Sequence, residues 1–486
     1  MDLTPAVVLA DALRHAGYTV AGLRAEWGEV VDAAIRRADP VPALRALGDG
    51  RVAILARLMY LGQPVSAEAF QAALPTAAGD AALALGILRA EGGRILPEAV
   101  LRPVRLGPDL RDGWIAADLD ELAGRSPLRP DHVLGVGGAG RTLVSLLPPS
   151  GSGRALDLGC GCGIIALELA ARGFEVVATD ISARAVAFTE LNAALNGVGV
   201  IETRVGSLYE PVAGERFAFI ASNPPFVITP RGADVPQYEY RDGGRAGDAL
   251  MAQVVAGLAD HLEPDGQARL LGNWEGDPDR VLGWAEGIGV WVVERERLDP
   301  AAYAQLWIRD GGTVSGTDAY AALMRAWLDD FDARGVTGIG MGWVIATAAD
   351  PTLRRIEALA PQIDPVLIGA HVRDALETHA RLAGVDDVRL AASELTVAGD
   401  VTEARHHLPG QEAPSVMELR QGGGFVRTVD ADPALVALVG ACDGDLPVGV
   451  LVDAIADLME VDAAALRADL LPRVRELLFT GMLRFV

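Results

Sequence analysis

The stretch Ala155-Leu-Asp157-Leu-Gly159-Cys-Gly161-Cys-Gly163-Ile-Ile-Ala-Leu167 decides how the chain is read. A short apolar run suited to a buried strand leads into three glycines at alternate positions, and an apolar helical pattern follows. Glycine permits the sharp backbone bends of such a turn and leaves no side chain between the peptide groups and a ligand. Asp157 stands at the end of the strand. The next apolar run, Glu175-Val-Val-Ala-Thr-Asp180, also ends in a carboxylate. In nucleotide-binding sheets an acidic residue about 20 positions further on accepts the ribose hydroxyls, and Asp180 fits that part. Cys160 and Cys162 would suggest a metal only with further ligands at suitable spacing, so they are read as small side chains filling a tight loop.

Working outward, strand and helix patterns alternate from Arg154 to about Asp350. Strands are expected at Ala155–Leu158, Glu175–Thr179, Ile201–Val205, Phe217–Ser222, Ala268–Leu271, Val290–Arg295 and Ile339–Thr347. Helices are expected at Gly163–Ala171, Ala183–Leu195, Met251–His261 and Asp318–Phe331. Such alternation predicts a parallel sheet covered by helices on both faces. The glycines do not follow the Gly-x-Gly-x-x-Gly spacing of a dinucleotide site. Their Gly-x-Gly-x-Gly spacing, with Asp157 two positions before the first, resembles the S-adenosylmethionine loop of class I methyltransferases.

A second motif lies 60 residues after Gly163, where the strand Phe217–Ser222 ends in Asn223-Pro224-Pro225-Phe226. A planar amide or aryl amine nitrogen has a delocalised lone pair and must pyramidalise before it can attack a methyl group. Acceptors on its two N–H groups hold it and favour that change. Asn223 offers a side-chain carbonyl and Pro224 a backbone carbonyl, and neither proline brings a competing N–H. Pro225 keeps Pro224 out of helical geometry, and Phe226 offers a flat face to a planar substrate. The catalytic candidates are therefore Asn223, Pro224, Pro225 and Phe226.

Together the two motifs resemble the Asn-Pro-Pro-Phe/Tyr group of class I methyltransferases, which includes release-factor glutamine methyltransferases and enzymes acting on the amino groups of ribosomal RNA or DNA bases. The resemblance implies a Rossmann-like sheet of seven strands and S-adenosyl-L-methionine as cofactor. It implies that Asp157, Gly159, Cys160, Gly161, Gly163, Asp180, Ile181, Ser207, Leu208 and Asn223 line the cofactor site. Gly206-Ser-Leu-Tyr-Glu-Pro211 is similar to the segment that meets the adenine ring, although the glutamine enzymes usually carry Asp where Ser207 stands. Tyr240-Arg-Asp-Gly-Gly-Arg-Ala-Gly247 resembles the glycine-rich stretch that follows their motif. Asp131-His-Val-Leu-Gly-Val-Gly-Gly138, by contrast, does not resemble their Pro-Arg…Thr-Glu segment. Phe226 in place of Tyr is closer to the RNA-type relatives.

The flanks extend this core to a chain of 486 residues, long enough for two to four domains at roughly 100–200 residues each. Residues 1–125 read as helices followed by a small hairpin around Gly92-Gly93, a pattern resembling a winged helix. The methyltransferase is expected at 126–350, entered through a linker at Pro127–Pro130. Residues 351–486 read as an α+β module that also ends like a winged helix.

Net charge is −24, and the cations are all arginine. Residues 1–105 are neutral, with 11 Arg against 11 Asp and Glu, whereas residues 351–486 carry 12 Arg against 21. Such acidity gives no general attraction to nucleic acid, and only the N-terminal module is a candidate to meet phosphate. The composition predicts neither a transmembrane span nor a signal peptide, and it places the protein in the cytoplasm without a metal. The chain has only four asparagines, Asn192, Asn196, Asn223 and Asn273, all in the central domain. That clustering hints at a chemical need. The leading expectation is a methyltransferase for a planar nitrogen of a macromolecule, either a protein glutamine or an RNA or DNA base, since the flanking modules add surface that a small substrate does not require. The alternatives are a sensor or assembly protein that binds the cofactor without turnover, and a methyltransferase for a small amine.

Overall fold

A computed structural model describes residues 2–35, 37–124, 129, 131–199, 201–232, 235, 243–359, 363, 366 and 368–486. The expected linker at 127–130 and the start of the glycine-rich stretch at 240–247 lie largely outside these residues. By internal contacts the described chain divides into one compact unit of residues 1–144, 150–348 and 354–358, and a second of residues 145–149, 349–353 and 359–486.

The first unit is built on an eight-stranded sheet. Its members are β6 (Arg154–Leu158), β7 (Glu175–Asp180), β8 (Ile201–Val205), β9 (Phe217–Ser222), β10 (Leu262–Glu275), β11 (Gly289–Leu298), β12 (Ile339–Thr347) and β13 (Arg354–Ala358). The order is β13-β11-β12-β10-β9-β6-β7-β8. From β10 to β8 every neighbour is parallel, and β12 runs antiparallel to both β10 and β11. All seven expected strands are present in a Rossmann-like order. The edge strand β13 adds an eighth, parallel to β11. Alternate residues such as Leu156, Leu158, Ile220, Ala268, Leu270, Val290, Val292, Val344 and Ala346 form one buried face. Ala155, Val176, Ala178, Phe219, Trp291 and Ile345 are buried as well. Burial on both faces explains why the strands read as continuous apolar runs rather than alternating ones.

One helical expectation changes in detail. The helix expected at Met251–His261 is two pieces, Ala249–Ala256 and Leu258–His261, broken at Gly257. A Cβ at Gly257 would lie 2.3 Å from the Tyr209 ring, so only glycine lets that ring pack here. The helix Pro300–Asp310 is an addition to the reading. Its start was legible: Asp299 accepts from the Ala302 N–H at 2.8 Å, and Pro300 occupies the first turn.

N-terminal to the sheet, helices Pro5–Ala16 and Val20–Ile35 are followed by a helical segment ending at Tyr60. Then come β1 (Val65–Ser66), helices Ala67–Ala73 and Thr76–Ala84, and a hairpin of β2 (Leu88–Glu91) and β3 (Arg94–Pro97). The small sheet is ordered β1-β3-β2. A second hairpin, β4 (Val100–Leu106) with β5 (Arg111–Ala117), leads toward the central sheet. Trp114 is fully buried there and donates through Nε1 to the Tyr18 carbonyl at 2.8 Å. Tyr18 in turn donates to the Leu101 carbonyl at 2.8 Å.

The second unit holds β14 (Glu394–Val397), β15 (Val401–His406), β16 (Val416–Gln421), β17 (Thr428–Ala431), β18 (Asp443–Pro447) and β19 (Leu483–Phe485). They form two three-stranded sheets, β15-β16-β17 and β18-β14-β19. Helices Pro433–Ala441, Val448–Met459 and Ala463–Phe479 pack over a core of Leu435, Leu438, Val452, Leu470, Val474 and Leu478. Arg405 and Arg420 pair locally with Glu403 and Glu418.

Two of the four asparagines hold the β4–β5 hairpin to the helix Ala183–Asn196. Asn196 Oδ1 accepts from the Trp114 N–H at 2.9 Å, and its Nδ2 donates to the Trp114 carbonyl at 2.7 Å. Replacing Asn196 by Ala leaves both main-chain groups of Trp114 without these partners. The expected loss is about 1–3 kcal/mol, read as a lower urea midpoint for the first unit.

Candidate active site

The register of the parallel strands brings the site together. Leu158 pairs with Thr179 on one side and Ser222 on the other, and Asp180 pairs with Val205. The carboxyl ends of β6, β7, β8 and β9 are therefore level. The chain order reverses between β6 and β9, and the crevice at such a reversal is where open α/β sheets bind ligands. Asp157, the glycine loop, Asp180, Ile181, Ser207, Leu208 and Asn223 all lie at or just past these ends. Ser222 fastens β9 to β6 by donating through Oγ to the Leu158 carbonyl at 2.6 Å.

Positive φ angles of 79°, 54° and 79° at Gly159, Gly161 and Gly163 bend the chain out of β6 and into the helix Ile164–Ala171. The three serve different ends. A Cβ on Gly159 or Gly161 would meet nothing within 4 Å, so these two face open space. A Cβ on Gly163 would lie 2.8 Å from Thr189, so this one is demanded by packing. Asp180 steadies the loop, its carboxylate accepting from the N–H of Gly161 at 3.0 Å and of Ser182 at 2.9 Å. Each carboxylate oxygen has a second lone pair, enough to accept hydroxyl donors as well.

Cys160 and Cys162 are buried, and Cys160 Sγ accepts from the Thr189 hydroxyl at 3.3 Å. Cys160 can therefore serve a ligand only through its main chain. Burial pushes the Cys162 thiol up to about 11 and the Cys160 thiol upward as well, so neither is a nucleophile at neutral pH. Among the described residues no group of three or more His, Cys, Asp or Glu is placed to hold a metal, and no helix is long and apolar enough to cross a membrane.

Two apolar side chains at the strand ends are left facing outward. Ile181 is 64% exposed and Val205 54%. Leu208 takes a left-handed φ of 49°, an uncommon conformation for leucine, and is half-buried beside Ser207. An outward apolar residue next to a ribose-type carboxylate suits one face of a flat base.

Asp157 is not a free carboxylate. It is 1% exposed, and it accepts from the Ala166 N–H at 2.9 Å. Burial, with a small contribution from the Asp180 charge, pushes its carboxyl up to about 7. The folded chain thus holds this proton more tightly than the unfolded chain. Its ionisation opposes folding increasingly between about pH 4 and 7.

Asn223 presents the most informative atom of the site. Its Oδ1 is buried and has no hydrogen-bond partner. Leaving such an acceptor unpaired costs roughly 1–3 kcal/mol, so an orphan here reads as an acceptor awaiting an N–H or O–H donor. Pro224 is buried behind it, and Gly243 returns the chain against Pro225, where a Cβ would lie 3.1 Å from Pro225 Cγ. Phe226 is half-buried and meets Trp307 edge to face, with centroids 6.4 Å apart.

The support of this loop was missed from the sequence. Tyr303, fully buried on the unforeseen helix, accepts from the Ile228 N–H at 3.0 Å and from Asn273 Nδ2 at 2.8 Å. Asn273, on β10, thereby joins the sheet to the main chain two residues after Phe226. The capping pair Asp299-Pro300 would have revealed the helix, but no local pattern marks a tyrosine 75 residues away in sequence as the partner of Ile228.

Residues 135–282 match the methyltransferase small domain family. That span contains the glycine loop, both strand-end carboxylates and the Asn-Pro-Pro-Phe motif. Residues 15–100 match a second family, described as a domain of unknown function. The chain is 36% identical over 132 residues to a release factor glutamine methyltransferase of Xylella fastidiosa, covering 25% of this chain and 47% of that enzyme. It is 36% identical over 120 residues to the enzyme of the same name from Geobacter sulfurreducens, covering 23% and 42%. It is 32% identical over 133 residues to ribosomal RNA small subunit methyltransferase C of Klebsiella pneumoniae, covering 27% and 34%. The chain thus spans less than half the length of these relatives.

Two outcomes are expected of this site. A cationic ligand favours the ionised form of Asp157, whose proton is held up to about pH 7. Affinity for S-adenosylmethionine is therefore expected to rise roughly tenfold from pH 6 to 8, and to lose most of that dependence in Asp157→Asn, as read by calorimetric titration. Tyr303→Phe removes the acceptor of Ile228 and Asn273. It is expected to lower the rate of the catalysed step roughly tenfold while cofactor affinity stays near that of the unmodified chain, since the glycine loop is untouched.

Proposed function

We propose that the chain is an S-adenosylmethionine-dependent methyltransferase whose acceptor is a planar amide nitrogen of a protein side chain. The observation that carries this reading is the buried, unpartnered Asn223 Oδ1 at the end of β9, beside a glycine loop with two open glycines. Gly159, Gly161, Asp180, Ile181, Ser207 and Leu208 would hold the nucleoside part, and Asp157 would face its positive charge. When bound, the cofactor supplies an electrophilic methyl group. Asn223 Oδ1 accepts one N–H of the acceptor amide, and the Pro224 carbonyl accepts the other. Phe226 limits the tilt of the amide plane. Neither oxygen is a strong base, so these residues orient the nitrogen and favour its pyramidal form without deprotonating it beforehand.

Two features favour protein over nucleic acid. The net charge of −24 repels phosphate. The helix Thr76–Ala84 stands where a winged helix reads DNA, yet its only charged residue is Asp80, and it packs against the helix Pro5–Ala16. The glutamine-modifying names of two similar proteins agree with an amide acceptor.

The test is incubation of the full-length chain with methyl-labelled S-adenosylmethionine and an extract of source cells lacking the gene. Protease-sensitive label is the expected result. Label released by ribonuclease instead would assign the acceptor to RNA. Asn223→Ala is expected to lose roughly 100-fold in transfer while cofactor affinity changes little. Binding of the cofactor without label above that variant would replace the enzyme by a sensor.

A further inference from the structure

Asn192, one turn before Asn196 on the helix Ala183–Asn196, is fully buried and makes three hydrogen bonds with one amide group. Its Oδ1 accepts from the Ala116 N–H at 2.7 Å, and its Nδ2 donates to the Ala116 carbonyl at 2.9 Å and to the Cys162 carbonyl at 2.8 Å. The first two bonds imitate a β-ladder. Four residues of helix rise about 6 Å, close to the roughly 6.7 Å spanned by two residues of strand. Asn192 and Asn196 can therefore pair with Ala116 and Trp114 together, and the helix acts as a neighbouring strand for β5. The third bond goes elsewhere. Cys162 lies between Gly161 and Gly163, both at positive φ, in the middle of the loop that faces the ligand crevice.

Gly159 and Gly161 carry no side chains that could stiffen the loop, so it is held from behind. Thr189, three residues before Asn192, shares its one hydroxyl hydrogen between Cys160 Sγ at 3.3 Å and the Gly161 carbonyl at 3.2 Å. A second tie links the same hairpin to the helix that follows the loop: the buried carboxylate of Glu168 accepts from the Gly107 N–H at 3.1 Å. Asn196 has no bond to the loop, its remaining hydrogen going to the Asn192 carbonyl at 2.7 Å.

We propose that Asn192 is a positioning residue that couples the N-terminal module to the glycine loop. The loop keeps its ligand-ready shape only while the Asn192 amide is held in place, because its two bonds to Ala116 of β5 fix the direction in which it donates to Cys162. The N-terminal module then serves as a brace for the cofactor site. This rests on the reading of the loop as the cofactor site, and the two are separable by experiment.

Full-length Asn192→Ala and Asn196→Ala are compared with the unmodified chain. Hydrogen exchange of the Gly161 and Gly163 amides is followed without ligand, and S-adenosylmethionine binding by calorimetry. Asn192→Ala is expected to expose the two loop amides to exchange and to weaken binding roughly tenfold, whereas Asn196→Ala loosens β5 but leaves the loop amides and the affinity close to those of the unmodified chain. If Asn192→Ala is recovered unfolded, Asn192→Ser, which keeps one hydrogen-bonding group, takes its place. Equal changes in the variants at the two positions, or unchanged loop exchange at Asn192, overturn the proposal. If the unmodified chain binds no S-adenosylmethionine, the cofactor reading falls, and the exchange comparison still decides the coupling.

Discussion

The level ending of β6, β7, β8 and β9 is the constraint on which the rest of the molecule depends. Parallel strands hydrogen-bonded in register must end at a common height, and here the pairs Leu158 with Thr179, Leu158 with Ser222, and Asp180 with Val205 set that height. The chain then leaves each strand on the same side of the sheet. The glycine loop, the Asp180 turn, the Ser207 turn and the Asn-Pro-Pro-Phe segment arrive together for that reason. A slip of one residue in β9 would turn Asn223 to the opposite face. The Ser222 bond to the Leu158 carbonyl opposes that slip at the point where it matters.

Around this crevice the chain spends its unusual residues. Asparagine is scarce in the whole sequence, and each of the four makes or awaits a bond that a smaller or apolar side chain could not provide. Asn223 keeps a free buried acceptor in the crevice. Asn273 holds Tyr303 beneath the following loop. Asn192 and Asn196 lend a helix the hydrogen-bonding pattern of a strand. An amide carries donor and acceptor in one plane, which main-chain groups require of a side chain that is to pair with both. The glycine loop shows the complementary economy. Two of its glycines leave room for a ligand, the third leaves room for Thr189, and the stiffness the loop lacks is supplied by the helix behind it.

Much of the central domain was legible because its signals are local. Seven strands and four of the helices between them follow from the pattern of apolar residues, and the loop and the Asn-Pro-Pro-Phe motif follow from spacing. The strand β13 was not legible, since Arg354–Ala358 alternates exposed and half-buried residues and carries charge at an edge. Tyr303 was not legible either, because its partners Ile228 and Asn273 are distant in sequence. The outward exposure of Ile181 likewise depends on where the strand ends, which its neighbours in sequence do not reveal.

By itself the sequence determined the bends and the chemistry: where glycine allows positive φ, where proline removes a donor, and which side chains can accept a proton or a hydrogen bond. Those properties belong to single residues and their immediate neighbours. Only the tertiary structure decided how they act. It buried Asp157 until its carboxyl titrates near neutrality, left Asn223 Oδ1 without a partner, and joined Ala116 to Cys162 through one amide. Desolvation, an unfilled valence for hydrogen bonding and a shared donor all depend on what surrounds an atom, and that is fixed only when distant segments pack.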